Sequence, residues 1–262
     1  MCSTCGCGGD EARVTTLPHS AAGTTDAPAG PPHQHSHEHP HPPPAAEHAP
    51  ITQTLTLEQR LLAKNDHLAE HNRQWLADRG IRAVNLMSSP GAGKTSLLER
   101  TITESDLDIA VIEGDQETLL DAERIRAAGA QAVQVNTGAG CHLDATMVQR
   151  ALAQLQPAEH GLVLVENVGN LVCPALFDLG ETRKVVVISV TEGDDKPLKY
   201  PHMFAAADLV VVNKTDLLPY VDFDLARLRD DARKLRPDVQ ILPISVRTGD
   251  NLDAWYDWLR SL

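Results

Sequence analysis

An α/β fold, a mostly parallel sheet flanked by helices, is predicted for the globular part of this 262-residue chain, ahead of which lies a tail of different character. Three observations predict it. Near-continuous Val/Ile/Leu runs of strand length alternate with helical patterns from residue 81 onward, as strands buried on both faces do. A small-residue loop joins the first of these runs to a helix. Residues 1–50, by contrast, carry nine of the 17 prolines and seven of the 12 histidines, with almost no branched aliphatics. Such a segment cannot bury enough apolar surface to offset its chain entropy, so it reads as a disordered Cys/His/Pro-rich tail.

Taken in order, residues 54–79 read as an amphipathic helix, with Leu57, Leu61, Leu68 and Trp75 at helical spacing and Gly80 as its stop. The division is therefore a tail over 1–50, a helix packing on the domain over 51–80, and the domain itself over 81–262. Strands are expected at Ala83–Met87, Asp108–Glu113, Gln131–Val135, Gly161–Glu166, Arg183–Val190, Leu209–Asn213 and Val239–Ile244. Helices are expected to open at Lys94 and to cover Gln116–Ala128, Leu143–Leu155, Leu225–Leu235 and Asn251–Leu259. In sheets of this kind ligands sit at the carboxyl edge of the strands.

The loop Ser88-Ser89-Pro90-Gly91-Ala92-Gly93-Lys94-Thr95-Ser96 has the composition and context of a phosphate-binding loop. Glycines let backbone N–H groups approach a polyphosphate, and the helix N-terminus adds partial positive charge. Lys94 would reach the β/γ-phosphates and Thr95 would hold Mg²⁺. Ser88 stands where the usual first glycine would be, and Gly91 is an additional one. A P-loop NTPase fold follows.

Asn213-Lys214-Thr215-Asp216 ends a later apolar strand. The Asp216 carboxylate can accept from guanine N1–H and the exocyclic amine, whereas adenine offers an acceptor at N1 and no matching amine. Asp216 therefore selects GTP over ATP, Lys214 covers the base, and Ser245 lies where a further base-loop contact is expected. Carboxylates near the γ-phosphate are sought in Asp115, Asp121 and Glu166, with Asp194 and Asp195 as weaker candidates. No residue stands out as an arginine finger in cis, so slow intrinsic hydrolysis is expected.

Net charge is −13 without a basic face, which argues against a nucleic-acid partner. No apolar run of about 18 residues and no signal core is present, so a cytoplasmic, membrane-free protein is expected. Five cysteines, an odd number, point to metal rather than to a disulfide framework. Cys2, Cys5 and Cys7, three thiols among glycines, can converge on Zn²⁺ or Ni²⁺. The alternating His33–His41 tract reads as a flexible metal buffer. Cys141 and His142 follow one strand and Cys173 another, so both loops fall on the carboxyl edge and make a borderline-soft set for Zn²⁺ or Ni²⁺.

These motifs together resemble the HypB family, GTPases that help insert nickel into nickel–iron hydrogenase. The resemblance rests on Cys2-x-x-Cys5-x-Cys7, the phosphate loop, Glu113-Gly114-Asp115-Gln116, Gly140-Cys141-His142-Leu143-Asp144, Glu166–Pro174 and Thr191–Pro201, and it covers nearly all of 82–262. It implies a tight nickel site at Cys2, Cys5 and Cys7, and a weaker zinc or nickel site at Cys141, His142 and Cys173. It implies a homodimer when GTP is bound, with Lys199 reaching the nucleotide of the opposite subunit. Implied partners are a HypA-type metallochaperone, the hydrogenase large-subunit precursor and, in some cases, a prolyl-isomerase metallochaperone. A sister GTPase for urease, a metal buffer with a decayed GTPase, and a small-molecule P-loop kinase are the alternatives. The paired N-terminal cysteines, the intact Lys94, Thr95, Asp115, Glu166 and Asp216, and the Asn213–Asp216 motif weigh against them in turn.

Overall fold

The computed structural model describes the backbone of residues 13–15, 51–115, 120–138 and 140–262, with side chains from Gln59 onward except Leu120. The Cys2/Cys5/Cys7 cluster and the His-rich tract lie outside the described residues.

The first described strand, β1 (Arg13–Thr15), sits inside the stretch read as tail and was not anticipated there. The chain continues through α1 (Ile51–Ala77), β2 (Arg82–Ser88), α2 (Lys94–Glu104), β3 (Ile109–Asp115), α3 (Leu120–Ala127), β4 (Gln131–Asn136), α4 (Ala145–Leu155), β5 (Leu162–Gly169) and β6 (Arg183–Ser189). It ends with α5 (Lys196–Lys199), α6 (Pro201–Ala206), β7 (Leu209–Asn213), α7 (Leu225–Leu235), β8 (Gln240–Pro243) and α8 (Leu252–Arg260). The strands form one sheet in the order β1-β4-β3-β5-β2-β6-β7-β8, in which β1 alone runs antiparallel to its neighbour.

Alternate residues of the Val/Ile/Leu strands feed two faces. Val84, Leu86, Val111, Leu164, Val187 and Val211 pack with Leu97, Ile125 and Trp255. On the other side, Ile112, Val163 and Val165 meet Leu76, Leu143 and Leu152, and Ile188 and Val212 meet Phe204 and Leu228. Burial on both faces explains why no polar alternation shows in these strands. Helices α5 and α6 were not expected. Pro197 and Pro201 lie in the first turn of these short helices, where the missing N–H costs nothing.

Of the anticipated Leu57/Leu61/Leu68/Trp75 stripe, the Leu57 side chain lies outside the described residues. Leu68 and Trp75 are half-buried, with Trp75 packed against the core, and none of the three described is fully buried. Asn65, Ala69, Asn72 and Leu76 are buried, while Leu61 is 46% exposed. Two amides do the anchoring: Asn65 Nδ2 donates to the Asp178 carbonyl at 2.7 Å, and Asn72 Nδ2 donates to the Ala145 carbonyl at 2.8 Å and to that of Leu179 at 3.0 Å. The pattern was shifted because two of its four contact positions are polar.

Candidate nucleotide and metal site

β2 lies between β5 and β6 while its successor β3 sits on the far side of β5, so a crevice opens at the carboxyl end of β2. The loop after β2 lines a cavity there of about 560 Å³. Gly93 has φ +100°, a left-handed conformation suited to glycine. A Cβ at Gly93 would also come within 2.4 Å of Asn213 Nδ2, so glycine is required by space as well. Gly91, Ala92, Gly93, Lys94, Thr95 and Ser96 all line the cavity, at whose wall α2 begins. Ser88 replaces the first glycine without cost to the loop: it is buried, and its Oγ accepts from Lys94 Nζ at 2.7 Å.

Acidic groups face this lysine. Glu113, Asp115, Asp121 and Glu166 line the same cavity. Thr95 Oγ1 donates to Glu166 Oε1 at 2.8 Å. Glu113 Oε2 and Glu166 Oε2 are buried and, among the described residues, have no hydrogen-bond partner. Burial, then the charges of Glu166, Asp115 and Asp121, push the Glu113 carboxyl up to about 9. Burial also raises Glu166 above the usual carboxylate range, against the pull of Lys94 and the Thr95 hydrogen bond. The Lys94 ammonium is lowered by burial, opposed by Glu166, Asp121 and Glu113. Two buried carboxylates, each with a spare oxygen, and the Thr95 hydroxyl bonded to one of them are hard oxygen donors that suit Mg²⁺.

A second hollow of about 400 Å³ adjoins the first and shares Gly93, Ser96 and Lys214 with it. Asn213, Asp216, Val246 and Arg247 also line it. Here the motif after β7 is bound to the phosphate loop. Asn213 Nδ2 donates to the Ala92 carbonyl at 2.9 Å, and Lys214 Nζ donates to the Gly91 carbonyl at 2.8 Å. Ser245 Oγ donates to Asp216 Oδ1 at 2.7 Å, which orients the carboxylate. Ser245 thus acts on Asp216 rather than lining the hollow itself.

The sulfur and nitrogen atoms of Cys141, His142 and Cys173 lie within 4.8 Å of one another. Cys141 Sγ is 3.6 Å from His142 Nδ1, and the imidazole stacks on Phe177 at 3.8 Å between ring centroids. Burial lowers the His142 pKa against the attraction of Asp144, which keeps the ring neutral and able to ligate. Asp144 caps α4, accepting from the Met147 N–H at 2.7 Å.

The two sites meet in β5. Between the pairs Leu86↔Glu166 and Ser88↔Gly169, β5 carries one residue more than β2, a bulge at Asn167-Val168. Bulges re-aim side chains beside functional sites. Asn167 is buried and lines the phosphate cavity, and its Oδ1 accepts from the Leu143 N–H at 3.1 Å, one residue beyond His142.

The family description "CobW/HypB/UreG, nucleotide-binding domain" matches residues 82–243. The hydrogenase maturation factor HypB of Azotobacter vinelandii is 48% identical over 282 residues, covering 99% of this chain and 91% of that protein. The chain belongs to the HypB family of hydrogenase maturation factors. Solved structures of that family superpose on it. HypB from Archaeoglobus fulgidus gives a TM-score of 0.71 at 43% identity, covering 76% of this chain and 98% of that one. HypB from Helicobacter pylori, crystallised in complex with nickel, gives 0.72 at 38% identity, covering 76% and 94%.

Some expected residues stand away from the cavities. Ser89 Oγ donates to Glu192 instead of lining either one. Lys199 is exposed and paired with Asp195 at 2.7 Å within its own chain. Asp194 accepts from the Asp224 N–H at 3.0 Å and faces Arg227. Two residues were missed. Glu113 could have been found as a charge within an otherwise apolar strand. Arg124 lines the phosphate cavity, with its guanidinium held by Glu99 at 2.6 Å and Asp121 at 3.0 Å. Nothing in its helical context marked Arg124 in the sequence.

Proposed function

We propose that this chain is a cytoplasmic, GTP-hydrolysing nickel metallochaperone that directs nickel into the hydrogenase large-subunit precursor. Asp216, steadied by Ser245, recognises guanine, and Lys214 covers the base. The α2 N-terminus, the loop N–H groups and Lys94 hold the β- and γ-phosphates. Thr95 and the Glu113 and Glu166 carboxylates would hold Mg²⁺, which when bound neutralises charge on the phosphates. Asp115 and Asp121, which line the same cavity, would orient the attacking water. Arg124, tied to two carboxylates, supplies no free cation to the phosphates, in keeping with slow intrinsic turnover.

Nickel and zinc are cargo. Cys141, His142 and Cys173 are one holding point, and Cys2, Cys5 and Cys7 are the tighter one. GTP draws two copies together across the nucleotide edge, with Lys199 leaving Asp195 to reach the opposite nucleotide. A HypA-type metallochaperone, and in some cells a prolyl-isomerase metallochaperone, exchange metal with the chain. The single observation that carries the reading is Asn167, which lines the phosphate cavity and holds the backbone beside His142. A nucleotide can drive metal transfer only through different affinities for two states, and this residue gives both ligands a shared element.

The test is turnover with GTP and ATP at matched concentrations, with oligomeric mass recorded under GDP and a non-hydrolysable GTP analogue. GTP-selective phosphate release and an analogue-dependent dimer are expected. Equal use of ATP, or a mass indifferent to nucleotide, would overturn the proposal.

A further inference from the structure

Two histidines one turn apart, His67 and His71, stand on α1 away from its buried Asn65/Ala69/Asn72/Leu76 face. Both are exposed, and their Nε2 atoms lie 3.3 Å apart. The rings meet edge to face, with centroids 4.7 Å apart and planes at 81°. Neither lines the nucleotide cavities nor belongs to the Cys141/His142/Cys173 cluster. Their helix is fixed to the domain by the Asn65 and Asn72 bonds, so the pair is presented on a rigid element rather than a loop.

We propose that His67 and His71 form a bidentate surface site for a borderline divalent cation, Ni²⁺ or Zn²⁺, separate from the Cys/His/Cys cluster. Spacing of i and i+4 places two imidazoles on one helix face, as in helical zinc sites. With metal–nitrogen bonds of about 2.0–2.1 Å, a 3.3 Å separation subtends about 105–110° at the metal, within the tetrahedral range. Imidazole nitrogen suits Ni²⁺ and Zn²⁺ and disfavours Mg²⁺. A hollow of about 360 Å³, lined by His71, Trp75 and Gln149 among others, opens beside the pair and leaves room for water ligands.

The run His67-Leu68-Ala69-Glu70-His71 has the spacing of some zinc hydrolases, but the surroundings point to holding rather than chemistry. Glu70 is paired with Arg73 at 2.7 Å, Arg73 is held in turn by Asp178, and the histidines are open to solvent. The site stands on its own geometry and does not depend on the nucleotide reading.

A site-resolved experiment on the full chain tests it, because other metal ligands are present. The rate at which diethyl pyrocarbonate modifies each histidine is read by peptide mass spectrometry without metal, with excess Ni²⁺, and with Mg²⁺. Ni²⁺ is expected to slow His67 and His71 together several-fold, and Mg²⁺ to leave both unchanged. In H71Q, His67 should react at its metal-free rate despite Ni²⁺, and in H67Q His71 should do the same. Glutamine is a good helix former on this exposed face, so both variants keep the fold. Unchanged rates with Ni²⁺, equal protection by Mg²⁺, or protection of one histidine that survives loss of the other would each overturn the paired site.

Discussion

Two clusters share the carboxyl edge of the sheet and are built differently. Around the phosphate cavity, polar side chains are fixed by partners far away in the chain. Thr95 meets Glu166 across 71 positions, Asn213 meets Ala92 across 121, and Lys214 meets Gly91 across 123. Around the metal cluster the contacts span shorter stretches and join two loops: Cys141 meets Cys173 across 32 positions and His142 meets Phe177 across 35. The first cluster is therefore a preorganised receptor. The second sits on loops that follow strand ends, and Asn167 lines the first while accepting from the backbone beside the second.

The contrast can be broken most forcefully at Lys94. K94A removes the buried cation beside the phosphates and should lower GTP turnover by about 10²–10³-fold, the usual loss for one charge-stabilising donor. Metal stoichiometry at Cys141/His142/Cys173 should remain, because none of those residues lines the cavity that holds Lys94. Steady-state phosphate release and metal analysis check both halves. Metal lost along with turnover would mean that the clusters are not separately built.

D216N tests the receptor's specificity with a smaller effect. Asparagine keeps the Ser245 contact but turns one acceptor into a donor, so one guanine N–H faces an N–H. GTP affinity should fall at least tenfold, at about 1.5–3 kcal/mol for a hydrogen bond to a charged group. Xanthosine triphosphate, with a carbonyl in place of the amine, should gain. Competition binding reads the exchange, and unchanged GTP affinity would remove Asp216 from the base site.

The last test reads stability instead of binding and concerns protons. Glu113 titrates near 9 in the fold against 4.5 for the ordinary group, so between those values the folded protein holds a proton that the unfolded chain has lost. Its contribution is present in full below about pH 4.5 and is lost as pH rises through 9. The nucleotide-free, Mg²⁺-free protein should therefore melt at lower temperature at pH 9 than at pH 6. E113Q should flatten that slope, leaving the part due to Glu166, whose carboxyl is also raised. A slope unchanged in E113Q, by differential scanning fluorimetry, would contradict the burial argument.

Much of the receptor was legible because it is written in short, ordered motifs. Gly91, Gly93, Lys94, Thr95 and Asn213–Asp216 each lie in the strand–loop–helix setting that their spacing anticipated. The metal loops were legible for the same reason: strand ends fix which loops share an edge, and so Cys141, His142 and Cys173 meet. What escaped depends on tertiary partners. The anchoring face of α1 uses amides whose acceptors, Asp178 and Ala145, are distant in the chain. Glu113 sits in a strand that runs two residues past its expected end, to Asp115. The bulge at Asn167 arises from register against β2, which no local pattern encodes.

The most direct test of the central claim is a nickel titration of wild-type protein and N167A under GDP and under a non-hydrolysable GTP analogue. Occupancy of the edge site is read from alkylation of Cys141 and Cys173 by peptide mapping. The variant removes the acceptor of the Leu143 and Val168 N–H groups and the donor to Asn85 Oδ1, each at about 1–3 kcal/mol, so retained GDP binding must first verify the fold. The account predicts that wild-type nickel protection differs between the two nucleotides and that N167A binds both nickel and nucleotide with that difference abolished. Protection that shifts with nucleotide equally in wild type and N167A would show that the coupling runs elsewhere and would contradict the account.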